Sequence, residues 1–190
     1  MKIIVGLGNP DKKYESTRHN FGKLILKNWK ESAGFPDFKL KKKLKAQITE
    51  THIAEEKIII ALPETYMNDS GKAVKLLIKF YNIKPENLII VHDDIDIDLG
   101  KIKIVKTRGS AGHKGVQSII DEIKTKDFIR FRIGIRPTSY TLVPKTLDEF
   151  VLQRFTKEEK EIVEKMIEKT ITELESALGE GEEKTMGEFN

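Results

Sequence analysis

Cysteine is absent from all 190 residues, so disulfides and thiolate metal sites are excluded and a reducing compartment is compatible. No run approaches the roughly 18 consecutive apolar residues that span a bilayer. Met1-Lys2 is followed by too few apolar residues for a signal peptide. The expectation is a cytoplasmic protein with no membrane partner. No Gly-x-Ser-x-Gly elbow occurs, which leaves a serine triad unsupported. The four histidines, His19, His52, His92 and His113, lack the i, i+3 or i+4 spacing of a helical metal site. Neither a metal nor a cofactor is therefore expected.

Two motifs begin and then fail. Gly6-Leu7-Gly8 follows a first strand, but Asp11 stands where a dinucleotide fingerprint needs its third small residue, and Pro10 intervenes. Asp94-Ile95-Asp96-Ile97-Asp98 imitates a calcium loop, yet Leu99 replaces its glycine and Val105 its closing glutamate.

What is present is an ordinary globular balance, 38% apolar and 34% charged, at a length that suits one domain. The net charge of +4 is unevenly spread. From Glu158 onward there are four basic and eleven acidic side chains, against 30 and 19 before it. A basic body fits a polyanion partner, with the acidic end held away from it. A general richness in Lys, Glu and Ile accounts for the charge equally well.

Strands and helices alternate along the chain. Ile3-Ile4-Val5, Ala46–Ile53, Lys57–Leu62, Leu88-Ile89-Ile90-Val91, Lys101–Lys106 and Phe131–Ile135 read as strands. Helices are expected over about 20–33, after the connection Thr65–Gly71 with Ala73, Val74, Leu77, Ile78 and Tyr81 on one face, and around Val116, Ile119, Ile120 and Ile123. A further acidic helix is expected over about 156–178, with Thr156 and Glu159 as its capping box. Residues 137–148 read as irregular, and 180–190 as a frayed tail. Lys39-Leu40-Lys41-Lys42-Lys43-Leu44-Lys45 reads as a lysine-defended edge or loop, or else as a phosphate contact. The expected fold is α/β, a single domain over residues 1–179 with a mixed, mainly parallel twisted sheet flanked by helices on both faces.

Polar clusters fall where buried strands end: Asn9 with His19, Tyr66 to Asn68, and Asp93. Such connections gather on one edge of an α/β sheet. His19 paired with Asp93 has the parts of a general base, the carboxylate selecting the tautomer and stabilising the imidazolium. The amides of Asn9 and Asn68 are candidates to hold a carbonyl and its developing oxyanion.

These residues, in order, carry a resemblance. Val5-Gly6-Leu7-Gly8-Asn9-Pro10, Tyr14, Thr17-Arg18-His19-Asn20, Thr65-Tyr66-Met67-Asn68-x-Ser70-Gly71, His92-Asp93, Gly112-His113-x-Gly115-x-x-Ser118 and Phe131-Arg132-Ile133-Gly134-Ile135 resemble the bacterial-type peptidyl-tRNA hydrolases. The resemblance implies a monomeric, metal-independent esterase with no obligate protein partner. Its substrate would be peptidyl-tRNA, cut at the ester on the 3′-terminal ribose of the acceptor end. It makes His19 the base and Asp93 its support. Asn9 would recognise the peptide, and Tyr66, Met67 and Asn68 would line the peptide pocket. Tyr14, His113 and Lys114 would lie toward substrate or tRNA. Lys101, Lys103, Lys106 and Arg108 would meet phosphates. Two positions depart from the family: Lys114 stands where Asn is usual and Ala111 where Gly is usual. A lysine at 114 can exchange a hydrogen-bonded contact for a phosphate contact. A non-catalytic RNA-binding protein of the same fold is the rival reading, and a metallopeptidase a third.

Overall fold

Ile3, Ile4 and Val5 lie in the centre of the molecule, on the strand β1 (Lys2–Gly6). The computed structural model describes residues 1–137 and 146–179. Six further strands join β1 in one sheet: β2 (Lys39–Lys41), β3 (Ala46–Ile53), β4 (Glu56–Pro63), β5 (Leu88–Asp98), β6 (Ile102–Lys106) and β7 (Ile129–Arg136). Their order is β2-β3-β4-β1-β5-β7-β6. Three pairings are parallel (β4-β1, β1-β5, β5-β7) and three antiparallel, so the parallel character is confined to the centre. The helices are α1 (Phe21–Ser32), α2 (Ser70–Tyr81), α3 (Lys114–Ile123), α4 (Leu147–Val151) and α5 (Lys160–Gly179).

Alternation along the central strands divides the core in two. Ile4, Ile58, Ile60, Ile89 and Val91 pack with Phe21, Ile25 and Trp29 of α1 and with Met166 and Leu174 of α5. Ile3, Val5, Ile59, Ala61 and Ile90 pack with Val74 and Leu77 of α2 and with Val116 and Ile119 of α3. With both faces covered, a central strand reads as a continuous apolar run. Two glycines set the distance of helix from backbone. A Cβ on Gly22 would overlap the carbonyl oxygen of Val91, and one on Gly71 would overlap that of Ser118.

The structure keeps the edge-strand reading of 39–45 and differs from the sequence reading at three places, the length of β5, the helix α4 and the start of α5. β5 continues past Val91 to Asp98. Aspartates favour strands little, but β7 places Arg132 and Arg136 against this segment. Arg132 Nε donates to Asp94 Oδ2 at 2.7 Å, and Arg136 pairs with Asp98. The basic stretch at 39–45 supplies the exposed edge strand β2, at the opposite edge from the lysines of β6. Leu147 and Asp148, expected to be irregular, open α4 behind an N-cap at Thr146. Residues 138–145 and the tail 180–190 lie outside the described residues. The last helix begins at Lys160, although both bonds of the expected capping box form one turn earlier: Thr156 N–H donates to Glu159 Oε2 at 2.8 Å, and Glu159 N–H to Thr156 Oγ1 at 3.4 Å.

Two outcomes are expected for stability. Gly22→Ala is expected to cost about 1–3 kcal/mol, read from denaturant melts, because neither backbone at that crossing can retreat cheaply. An unchanged melt would show that α1 lifts freely from the sheet. The second concerns Glu173, fully buried on α5. Burial pushes its carboxyl up to about 7, against the opposing charge of Lys169. A raised folded-state value stabilises the protein fully below the ordinary 4.5, and that contribution is lost as pH climbs through about 7. Glu173→Gln is therefore expected to raise Tm at pH 8 and to lose this advantage at pH 5. An equal gap at both pH values would remove the titration from the explanation.

Candidate active site

Four connections bring the site together at the carboxyl ends of the parallel strands. β1 runs into Leu7-Gly8-Asn9, β4 into Thr65–Asn68, and β5 carries Asp93. A 3-10 turn, Arg18–Asn20, delivers His19 just before α1. The loop before α3 delivers His113.

Asp93 is 2% exposed and accepts from two imidazoles. His19 Nδ1 lies 2.9 Å from Oδ2, and His113 Nε2 lies 3.0 Å from Oδ1. The tautomers follow from the other contacts. His113 Nδ1 accepts the backbone N–H groups of Gly115 and Val116 at 3.1 and 3.2 Å, capping α3, so its proton is on Nε2. His19 Nδ1 likewise donates to the carboxylate, which leaves Nε2 as the lone-pair nitrogen. Burial alone would raise the Asp93 pKa, but His19 and His113 outweigh it and hold the carboxyl far below the usual range. For His19, burial disfavours the imidazolium, yet the Asp93 charge and hydrogen bond prevail and the pKa rises above 6.5.

A third imidazole stacks behind. His92 is fully buried, its Nδ1 sits 2.6 Å from the Asp93 carbonyl oxygen, and its ring meets that of His113 edge-on at 4.6 Å. Burial first, then the neighbouring His113, keeps it neutral.

Among the described residues, His19, Asp93 and His113 also form a cluster whose ligand-type atoms lie within 4.8 Å of one another. Spacing along the chain could not reveal it, since the turn before α1, the strand β5 and the loop before α3 each contribute one member. Both oxygens of Asp93 already receive N–H donors, so a cation would have to displace both bonds.

Asn9 is held from three sides. Its N–H donates to Asn20 Oδ1 at 2.8 Å, and its carbonyl accepts Asn20 Nδ2 at 2.9 Å and Lys23 Nζ at 3.4 Å. Its side-chain Oδ1 accepts the Met67 N–H at 2.9 Å. That leaves the Asn9 Nδ2 group as a donor. Lys23 is itself buried, which lowers its ammonium pKa to about 8 against the pull of Glu64.

Two cavities meet at His19. One, of about 470 Å³, is lined by Asn9, His19, Met67, Asn68, Lys114, Asp148, Val151 and Leu152. The other, of about 190 Å³, includes His19, Asp93, Asp94, Ile95, Gly112, His113, Lys114 and Asp148. The first is large enough for an aminoacyl group or a short peptide end.

The structure thus gathers Asn9, His19, Met67, Asn68, Asp93, His113 and Lys114. Tyr14 and Tyr66 line neither cavity. Tyr66 is half exposed, and its hydroxyl donates to Asp11 at 2.9 Å. Tyr14 stands beside the ammonium of Lys13. The four expected phosphate contacts are divided. Lys103 is on the exposed face of β6 opposite Arg132, its cross-strand partner, and Lys101 stands directly before the strand. Lys106 points to the other face at the strand end, and Arg108 is on the following loop. Lys101 is already paired with Asp98 at 3.0 Å.

Several contributors went unassigned in the sequence. Asn20 fixes Asn9, and Asp148, Val151 and Leu152 wall the cleft from α4 and its end. Arg18 is 2% exposed, pairs with Glu159 at 2.7 Å, and lies over the rings of Phe150 and Phe155. Its N–H also donates to the Gln153 carbonyl, fastening α4 beside His19. Arg130, with Nη1 2.8 Å from the Gly109 carbonyl, anchors the loop of His113. A signal existed only for Arg18 and Asn20, which flank His19 in the chain.

Comparison with known proteins agrees with this geometry. The family model for peptidyl-tRNA hydrolase matches residues 3–190. A peptidyl-tRNA hydrolase of Thermodesulfovibrio yellowstonii is 43% identical over the whole of this chain and 99% of its own. One from Alkaliphilus metalliredigens is 40% identical, with both chains covered in full. Among solved structures, the Acinetobacter baumannii peptidyl-tRNA hydrolase is 30% identical with a TM-score of 0.89, covering 100% of this chain and 94% of that one. The chain belongs to the peptidyl-tRNA hydrolase family.

Proposed function

We propose that the protein hydrolyses the ester between a peptide, or an N-blocked aminoacyl group, and the 3′-terminal ribose of tRNA. It would act in the cytoplasm, as a single chain, returning tRNA from prematurely released peptidyl-tRNA to translation. The observation that carries this reading is the His19–Asp93–His113 assembly at the junction of two cavities, in whose walls, among the described residues, no serine or cysteine stands.

Water is the nucleophile. His19 Nε2 accepts its proton as the oxygen attacks the ester carbonyl, and Asp93 stabilises the imidazolium that forms. The tetrahedral oxyanion is received by side-chain amides, Asn68 and the free Nδ2 of Asn9. On collapse the C–O bond to ribose breaks, and the imidazolium returns its proton to the departing oxygen. The products are a free carboxylate and an intact ribose hydroxyl. His113 touches Asp93 rather than the reacting atoms and so positions the carboxylate. Asn9, rigid through Asn20 and Met67, is the group to meet the peptide. The exposed Lys101 and Lys103, with Lys106 and Arg108 farther round, favour the RNA electrostatically.

The decisive comparison is hydrolysis of N-acetyl-aminoacyl-tRNA beside the unblocked form, for wild type and His19→Ala. Selective release of the blocked amino acid is expected, with turnover lowered at least about 10²-fold in the variant. Tight RNA binding without release in the wild type would replace the enzyme with an RNA-binding protein. The pH profile gives a second outcome. Neutral His19 is the active form and its pKa is raised, so kcat/KM is expected to fall with acid through an inflection above 6.5. Asp93→Asn removes the charge that raises it, moving the inflection downward and lowering kcat. An unmoved inflection would mean that another group titrates.

A further inference from the structure

An ion pair stands across the mouth of the cleft. Lys114 Nζ donates to both carboxylate oxygens of Asp148, at 2.8 and 2.7 Å. Both residues line both cavities beside His19. The pair therefore sits at the boundary between a chamber walled by Asn9, Met67 and Asn68 and one walled by Asp94, Ile95 and Gly112. An ester cleaved at His19 has an acyl arm and a nucleotide arm, and it must cross this boundary to react.

The pair is built to open. The two side chains are 59% and 71% exposed, where ion pairing contributes little to stability. Lys114 is the first residue of α3, the end at which the helix dipole disfavours a cation and favours an anion. A phosphate oxygen arriving there offers the ammonium an equivalent charge-assisted partner. A neutral nucleoside ester offers none, and has to leave both charges unpaired as it enters.

We propose that Lys114 determines specificity for phosphate-bearing nucleotide esters: it is held by Asp148 in the free protein and passes to the phosphodiester that joins the substrate's terminal nucleotide to the rest of the RNA. The proposal rests on the ester-hydrolase reading above and adds to it the group that replaces Asp148. The two charges also reach the base itself. Beyond burial and Asp93, which dominate, Lys114 lowers the proton affinity of His19 and Asp148 raises it. Transfer of Lys114 to phosphate keeps that balance, because one anion replaces another.

The test compares two N-acetyl-aminoacyl esters, one of a cytidylyl-adenosine dinucleotide with a single phosphate, the other of adenosine with none. The readout is the ratio of their kcat/KM values. Lys114→Gln is expected to lower the ratio about tenfold, the worth of one charge-assisted hydrogen bond. Lys114→Arg is expected to restore it, and Asp148→Asn to raise it. The inflection of His19 should move up in Lys114→Gln and down in Asp148→Asn, opposite shifts that a merely structural disturbance would not produce. A ratio untouched by either variant, or both esters slowed equally by Lys114→Gln, overturns the exchange. Wild type inert toward both esters and toward blocked aminoacyl-tRNA overturns the ester-hydrolase reading, and this proposal with it.

Discussion

A buried carboxylate whose two oxygens are each claimed by an imidazole N–H is the constraint on which the rest depends. Burying Asp93 ionised is costly unless donors surround it. His19 and His113 are those donors, and they come from segments on either side of β5. Each is fixed in turn by its own backbone: His19 by the turn into α1, His113 by capping α3 with its other nitrogen. The charge therefore pins three connections at once, and it leaves one imidazole nitrogen, His19 Nε2, with its lone pair available. The proposed base is a by-product of satisfying the carboxylate.

Around that rigid centre the site is graded. Asn9, Asn20 and Met67 form a buried net of backbone and amide bonds that gives the acyl side a fixed shape. The opposite rim is made of exposed, paired charges on α3 and α4. A rigid wall on one side and an exposed, exchangeable ion pair on the other suit the proposed substrate, whose two arms differ so much in chemistry. The glycines at 22 and 71 belong to the rigid part, because the first lets α1 approach β5 at Val91 and the second lets α2 approach α3 at Ser118.

The central strands were legible because they are buried on both faces, which writes them as apolar runs. Asn9, Asn68 and Asp93 were legible because each lies beyond such a run, and His19 because it stands directly before an apolar-periodic helix. β5 beyond Val91 was not, since four aspartates oppose strand formation on their own and only the arginines of β7 reverse the balance. That pairing is a long-range fact. The dual role of His113 was hidden for the same reason: an N-cap is a local signal, but a histidine is a rare cap, and its second bond crosses to β5. Lys39–Lys45 shows the converse. A run of lysines announces charge, and the sheet uses it to protect an edge far from the lysines of β6. At the C-terminal helix the capping box was read correctly from Thr156 and Glu159, whereas the start of regular helix was placed four residues early.

Glu159 deserves a different description from that of a cap. The same carboxylate oxygen that receives the Thr156 N–H also receives Arg18, the residue directly before the proposed base. Fraying the entry to α5 and loosening His19 are consequently one event rather than two. By this link the entry to α5 belongs to the same cooperative unit as the turn that carries His19.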